Sequence, residues 1–540
     1  MKNKSFLALA ALCWCSCSTP VPSPPVQALV DAAADAPTAD VLAADVASGP
    51  DCHWAGLGDP PDLSIPCDLA STRGDDCRCW NANPPLPGSG APVGARLGVS
   101  GFLPLGSDAD SAARRKVYAG LMHDLGATVL RQEIRWDMVE PNQGQFDWTA
   151  ADILVATAKA EQWRLIGLLG YGNLWASKLG KSQNDYDFPP DDPNDFATYA
   201  AAVAGRYKAD AQDWEIWNEQ NSGWRFWKNA NGDAAGDPKG YADLLLPTYA
   251  AIHKENPAAH VAYGGLFYLP QFIPGAEAFF SASLAARPQL AQAFDALAYH
   301  PYSLYPPINP PEFSTPPGQP GIARYAADET ARRLQQLIVS DAKTPRPLWV
   351  TEVGWPADDG IEDLAPVSET QQAQYLVRTA LLLISANVEF VCWYTVMDMP
   401  PAADNPVPWE RSFGLYRWDA DPNDGKPPEP KPAGLAHAAL AQTLGKLLFS
   451  QDEAKAGLTT APQQLAFTSA DAKEIVHVAW NWQAQGDETQ PAWFHARKGY
   501  GYQATDMWGK PIGVTMHADT RVEFPVGRAP VYVHEIQSQP

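Results

Sequence analysis

An eight-stranded (β/α)₈ barrel with a small C-terminal β-sandwich is the fold class this α/β sequence predicts, on three observations. From about Arg96 the chain alternates short apolar runs with helix-spaced segments. Eight such units fit between residues 96 and 447, the number a closed β/α barrel requires. The apolar runs are nearly continuous rather than alternating, as expected of strands buried on both faces. A doubly wound open sheet is the alternative, but no Gly-rich phosphate turn follows the first run.

The expected strands are Arg96–Phe102, Ala127–Ile134, Arg164–Leu169, Asp213–Trp217, His260–Gly264, Phe294–Tyr299, Leu348–Glu352 and Phe390–Val396. The helices that follow them are Ser111–Leu125, Thr149–Glu161, Asp195–Lys208, Pro238–Asn256, Phe272–Arg287, Ala323–Asp341, Thr370–Ala386 and Ala433–Leu444. Beyond about Phe449 the texture changes to short strands separated by turns such as Gly509-Lys510-Pro511. These are Glu474–Trp482, Ala492–Ala496, Thr505–Trp508, Thr520–Phe524 and Ala529–His534, giving a sandwich over 448–540.

Upstream of the barrel the chain divides three ways. Residues 1–17 read as a secretory signal: a basic start at Lys2 and Lys4, then an apolar run over Phe6–Leu12 too short to span a bilayer. Cys17 follows that run as a candidate lipid anchor of an envelope protein; cleavage and release is the alternative. Residues 18–50, rich in Pro, Ala, Asp and Val, read as a tether. Residues 51–95 carry Cys52, Cys67, Cys77 and Cys79, which in an exported chain suggest two disulfides with three possible pairings. A zinc site fits less well, because Cys77-Arg78-Cys79 lacks the usual two-residue gap. Cys392, inside an apolar run, is expected to be a buried free thiol.

Composition narrows the function. A net charge of −23 with no basic stripe excludes a nucleic-acid binder and disfavours anionic substrates. Apolar residues make up 46% of the chain, enough for a large core. The 20 Trp, 19 Tyr and 18 Phe exceed what a core needs, and the surplus suits sugar rings, whose apolar faces lie flat on aromatic planes. There is no His-Glu-x-x-His pair, so no metal is expected, and no Gly-x-Ser-x-Gly nucleophile elbow.

Two carboxylates carry the chemistry. The fourth strand runs out through Asn218-Glu219, and the seventh ends on Glu352. Strands four and seven face each other across a barrel mouth, where barrel enzymes place their catalytic groups. Glycoside hydrolysis needs such a pair, one acid protonated and the other ionised. A lone strand-end Glu would read as a salt-bridge partner; two on opposing strands, each with aromatic neighbours, read as a site.

With these residues in view, the chain resembles clan A glycoside hydrolases, most of all family 39. The resemblance rests on Arg131…Trp136…Val139-Glu140-Pro141, Leu169-Gly170-Tyr171…Trp175-Ala176-Ser177 and Trp214-Glu215-Ile216-Trp217-Asn218-Glu219. It rests equally on Tyr299-His300-Pro301-Tyr302, Thr351-Glu352-Val353-Gly354-Trp355 and Phe413-Gly414-Leu415. It implies a retaining O-glycosidase that needs no cofactor, with Glu352 as nucleophile and Glu219 as acid/base; with the N-terminal signal, it points to action on a poly- or oligosaccharide outside the cytoplasm. Asn218 would bind the sugar 2-hydroxyl, and Arg131 would hold Glu352 ionised. His300 and Tyr302 are cleft candidates. Trp393 is the candidate floor of the central subsite, and Trp136, Trp175 and Trp355 are further sugar contacts. Trp224 and Trp227 would shape an outer subsite. An exo-acting β-xylosidase-like enzyme and a non-catalytic carbohydrate-binding envelope protein are the alternatives. The only expected partner is the carbohydrate, bound by a monomer.

Overall fold

The computed structural model describes residues 90–230, 236–268, 275–303, 309–314, 325–357, 367–400 and 408–537. The expected signal, tether and four clustered cysteines lie outside them. Among the described residues no helix is long and apolar enough to cross a membrane.

Eight parallel strands close into a barrel in chain order. They are β1 (Leu97–Ser100), β2 (Val129–Arg135), β3 (Arg164–Gly170), β4 (Asp213–Asn218), β5 (His260–Phe267), β6 (Ala296–His300), β7 (Leu348–Val353) and β8 (Phe390–Tyr394). Closure comes from β1, which pairs Val99 with Leu130 on one side and with Trp393 on the other. The outer helices are α1 (Ala109–Leu125), α2 (Thr149–Ala160), α3 (Pro193–Arg206), α4 (Pro238–Glu255), α5 (Ala276–Ala286), α6 (Ala327–Ala342), α7 (Glu369–Ser385) and α8 (Pro432–Leu444). Their ends are written locally. Asp108 accepts from Ser111 N at the start of α1, which stops on Gly126 at a left-handed φ of 65°. Ser368 and Gln371 make a reciprocal capping box at the start of α7.

The barrel interior is layered. Val129, Ile166, Ala262, Ala296, Ala298, Trp349, Phe390 and Cys392 form a sealed apolar cluster, each within the first three residues of its strand. Cys392 is the buried free thiol that the apolar run suggested. Above this plug the inward positions turn polar: Arg131 on β2, Glu215 on β4 and Thr351 on β7. The apolar floor excludes water from below, so chemistry is confined to the C-terminal rim.

After α8 come two antiparallel sheets, one of six strands and one of three, packed over Ala479, Phe494, Val522, Phe524 and Val533. Four of these strands escape the sequence reading: β9 (Leu448–Asp452), β10 (Gln463–Thr468) and the two-residue strands Pro511–Ile512 and Thr515–Met516. The middle of β10 is buried on both faces and has no period-two alternation to betray it. The sandwich is bonded to the barrel. Trp480 Nε1 donates to Glu312 at 2.7 Å, Lys455 to Asp328 at 3.1 Å, and Trp508 Nε1 to Pro432 O at 3.2 Å.

Inside the sandwich His477 is buried between Glu453 (2.8 Å) and Glu535 (3.2 Å), stacked on Phe494. Burial opposes its charging, but the two carboxylates outweigh that and push the imidazole up to about 9. A folded pKa above the unfolded value of about 6.5 stabilises fully below that value, and the benefit is lost as pH rises through about 9. The stability gap between wild type and His477→Gln, measured by calorimetry, should therefore shrink steadily from pH 6 to pH 10; a constant gap would contradict this.

Candidate active site

Two strand ends are distorted to build the mouth. Trp217 and Glu219 both take left-handed backbone, φ 69° and 46°, which costs a non-glycine residue energy unless its surroundings enforce it. Here they do. Glu219 N donates to Gly265 O (2.9 Å), Ser222 N to Glu219 O (2.8 Å), and Trp217 Nε1 to Phe226 O (2.6 Å). On the opposite side, β7 breaks register with β8 between Val350 and Val353, a bulge that re-aims Glu352.

The two carboxylates consequently converge. Glu219, Glu352 and His300 each present an atom, and these atoms all lie within 4.8 Å of one another. His300, at the end of β6, faces Glu219 Oε1 through Nδ1 at 2.9 Å and Thr351 Oγ1 through Nε2 at 3.0 Å. Tyr302 donates its hydroxyl to Glu352 Oε2 at 2.8 Å. Arg131 donates to the other oxygen, Oε1, at 2.5 Å. Arg131 also holds Glu215 through two bonds (2.7 and 3.0 Å), Asn218 Oδ1 (2.8 Å) and Ser100 Oγ (3.3 Å).

Electrostatics follow from this wiring. Burial opposes ionisation of Glu352, but His300, Arg131 and the Tyr302 hydroxyl outweigh it and hold its carboxyl below the ordinary range. Glu219, Glu352 and His300 are close enough to contact one cation. The donor set does not favour one: both nitrogens of His300 are engaged, and Arg131 already neutralises Glu352. Gly265 on β5 is required by close approach. A Cβ there would lie 2.3 Å from His300 Nε2 and 2.6 Å from Glu215 Oε1.

The structure brings Glu219, Glu352, Asn218, Arg131, His300 and Tyr302 together, and separates the tryptophans. Trp393 stacks beside Trp355 (5.9 Å) and donates to Phe413 O, with little surface left. Trp355 and Trp136 are fully buried, which corrects their expected sugar contact. Trp136 is enclosed by Trp175, Phe196 and Tyr199. Half-buried Trp175 spends its Nε1 on Glu140 O. Trp227 is likewise core, set edge-on against Trp217 at 4.9 Å, whereas Trp224 is 50% exposed.

Several site residues escape the sequence reading. Glu215 and Thr351 are wholly buried, and the signal for Glu215 was present: a charge in the middle of a strand buried on both faces must be paired. Tyr171, stacked on Phe226 and bonded to Glu133 at 2.9 Å, lines the β3 side. Arg225 and Glu410 come from separate loops and have no local signal.

Known proteins bear on this geometry. Residues 102–235 match Glycosyl hydrolase family 10, a stretch that includes Arg131, Asn218 and Glu219. Endo-1,4-beta-xylanase 3 of Hypocrea jecorina is 30% identical over 106 residues, 20% of this chain and 30% of that protein. Endo-1,4-beta-xylanase 2 of Claviceps purpurea is 29% identical over 142 residues, 25% of this chain and 40% of that protein. The chain thus spans less than half the length of these curated relatives. Among solved structures, a family 39 glycoside hydrolase from Bacteroides cellulosilyticus WH2 aligns with TM-score 0.62 and 22% identity, over 83% of this chain and 82% of that one. A monomeric beta-xylosidase from Caulobacter crescentus CB15 aligns with TM-score 0.55 and 17% identity, over 83% and 96%. At these identities the structural likeness is one of fold. Together the matches bear out the resemblance to clan A glycoside hydrolases read from the motifs.

Removing the shared cation tests how the site is held. Arg131→Ala leaves Glu215 and Glu352 buried without their partner, so urea denaturation should show a loss of about 3–5 kcal/mol. A loss under about 1 kcal/mol, the range of an exposed pair, would show that Arg131 does not hold the site together.

Proposed function

We propose that the protein is a retaining O-glycoside hydrolase that cleaves a poly- or oligosaccharide by double displacement. Glu352 is its nucleophile and Glu219 its general acid/base. The observation that carries this reading is the approach of the two carboxylates to within 4.8 Å across the mouth. Retention suits carboxyls about 5–5.5 Å apart, whereas inversion needs about 6.5–9.5 Å to admit a water between them.

Each group is fitted to its step. Glu352, held ionised, attacks the anomeric carbon as the glycosidic bond breaks, and Glu219 passes a proton to the departing oxygen. An ester between Glu352 and the sugar results. Water then gives a proton to Glu219 and attacks the same carbon, releasing Glu352 with the starting configuration restored. Asn218 commits its Oδ1 to Arg131, which leaves its NH₂ for a sugar hydroxyl. Trp393 and Tyr302 bound the pocket for the sugar, and Trp224 is the exposed platform for an outer subsite.

Xylan is the substrate we put first, because the curated relatives matched over this segment are endo-1,4-beta-xylanases. An exo-acting, β-xylosidase-like enzyme is the second reading, favoured by the near-complete burial of Glu219 and Tyr302. Action outside the cytoplasm, by a monomer, is proposed from the N-terminal sequence and the carbohydrate chemistry alone.

Proton NMR of products from a polysaccharide and aryl-glycoside panel should show the retained anomer first, with long products for endo action and single sugars for exo. Glu352→Ala should lower turnover at least about a thousandfold. Glu219→Ala should lose about 10²–10⁴-fold on a natural linkage and far less on a dinitrophenyl glycoside, whose leaving group needs no proton. An inverted product, or full activity without Glu352, sinks the proposal.

The pH profile gives an independent test. With Glu352 held below the ordinary glutamate range, its carboxylate persists into acid, so the acid limb of kcat/KM should fall below about pH 4.5. Tyr302→Phe deletes one donor to the ionised form, so the limb should move up by about one pH unit. A limb that stays put would show that the hydroxyl does not tune Glu352.

A further inference from the structure

We propose that Glu410, clamped by Arg225, recognises a hydroxyl of the sugar seated over Glu219 and Glu352 and thereby selects a neutral glycone. This rests on the glycosidase reading above and extends it to the substrate class.

Arg225 stands on the loop after β4, and Glu410 on the helical turn Pro408–Ser412 beyond β8. Arg225 donates to Glu410 Oε1 at 3.0 Å, so the two loops are tied across the mouth. Glu410 is only 5% exposed, yet among the described residues its Oε2 has no hydrogen-bond partner. A buried carboxylate oxygen left unpaired is costly, and native structures seldom tolerate one without a use. Because Oε1 is fixed by Arg225, the direction of Oε2 is fixed as well.

The pair belongs to the same cleft. Phe413, three residues on from Glu410, packs edge-on against Tyr302 (6.2 Å) and Tyr394 (5.3 Å). Tyr302 in turn holds Glu352. Burial pushes the Glu410 carboxyl up; Arg225 opposes this, and the charges of Glu219 and Glu352 add to it. The same two carboxylates help hold the Arg225 guanidinium above its ordinary range. Both members of the pair thus lie in the field of the reacting groups.

This arrangement fits a hydroxyl and rejects a carboxylate. A sugar hydroxyl brings a donor to Oε2, and the part-exposed Arg225 offers further N–H donors beside it. Acceptor and donor side by side suit vicinal hydroxyls. A uronate placed here would meet Glu410, Glu219 and Glu352 with one arginine that is already paired.

The test is a cycle of variant against substrate. Wild type, Glu410→Ala and Glu410→Gln are assayed on the best substrate in a panel of 4-nitrophenyl glycosides, on its mono-deoxy analogues and on the matching uronide. Glu410→Ala should lower kcat/KM about 10- to 100-fold on the parent sugar. On the one analogue lacking the recognised hydroxyl the loss should shrink to within about threefold, and wild type should be slow on the uronide. Glu410→Gln keeps an acceptor oxygen and the side chain's shape, and should recover part of the loss. Equal losses on the parent and on every mono-deoxy analogue, no loss on the parent, or preference for the uronide would overturn the assignment. If Glu410→Ala shows no cooperative melt, the same comparison is read from Glu410→Gln. Wild-type inactivity on this panel and on the polysaccharide panel alike would overturn the glycosidase reading itself, and this assignment with it.

Discussion

One buried guanidinium organises this molecule. Arg131 has five N–H donors, and all five are used: two on Glu215, one on Glu352, one on Asn218 and one on Ser100. Those partners sit on or at the ends of β1, β4 and β7, so a single side chain reads the register of four strands at once. Burying a cation with two anions is tolerable only when the geometry is complete, since desolvation can exceed the Coulombic gain. Completeness is what the closed barrel supplies. The candidate catalytic pair and the fold are therefore not separable features; the charge network that would hold Glu352 ionised is also the one that must form for the upper barrel to pack.

The second consequence concerns His300. The Thr351 hydroxyl donates to Glu215 Oε1 at 3.2 Å, so its oxygen is left to accept from His300 Nε2. Nε2 is then the donor in that contact, and Nδ1 faces Glu219 Oε1 at 2.9 Å. Glu215 thus acts on both candidate catalytic residues without touching either: through Arg131 on one side, and through Thr351 and His300 on the other.

Much of this was legible in the sequence, for identifiable reasons. Strands buried on both faces write continuous apolar runs, so all eight barrel strands could be placed, and their ends marked Glu219 and Glu352. His300 and Tyr302 stood out at the end of the sixth strand, and Arg131 through the family resemblance. What escaped depends on tertiary structure. A tryptophan at a strand end reads alike whether it faces sugar or core, and Trp136 and Trp355 proved to be core because neighbouring aromatics enclose them. Glu410 lies far along the chain from Arg225, and nothing local to either foretells their meeting. Strand β10 was missed because burial on both faces erases the alternation by which a sandwich strand is recognised.

The distortions at the strand ends complete the logic. A regular β4 would continue its alternation and leave Glu219 pointing along the wall; two left-handed residues turn it into the mouth instead. A regular β7 would keep Glu352 in step with β8, and the bulge after Val350 releases it. Such backbone persists only where the surroundings enforce it, and here the enforcing contacts are Gly265 O on Glu219 N, and Asn221 bonded both ways to Phe267. Strand β5 contributes no charged group to the centre, yet it sets the angle of Glu219. Its Gly264-Gly265 pair reads as filler in the sequence, but it is the surface against which the loop carrying Glu219 is cast, and any side chain at Gly265 would collide with His300 and Glu215.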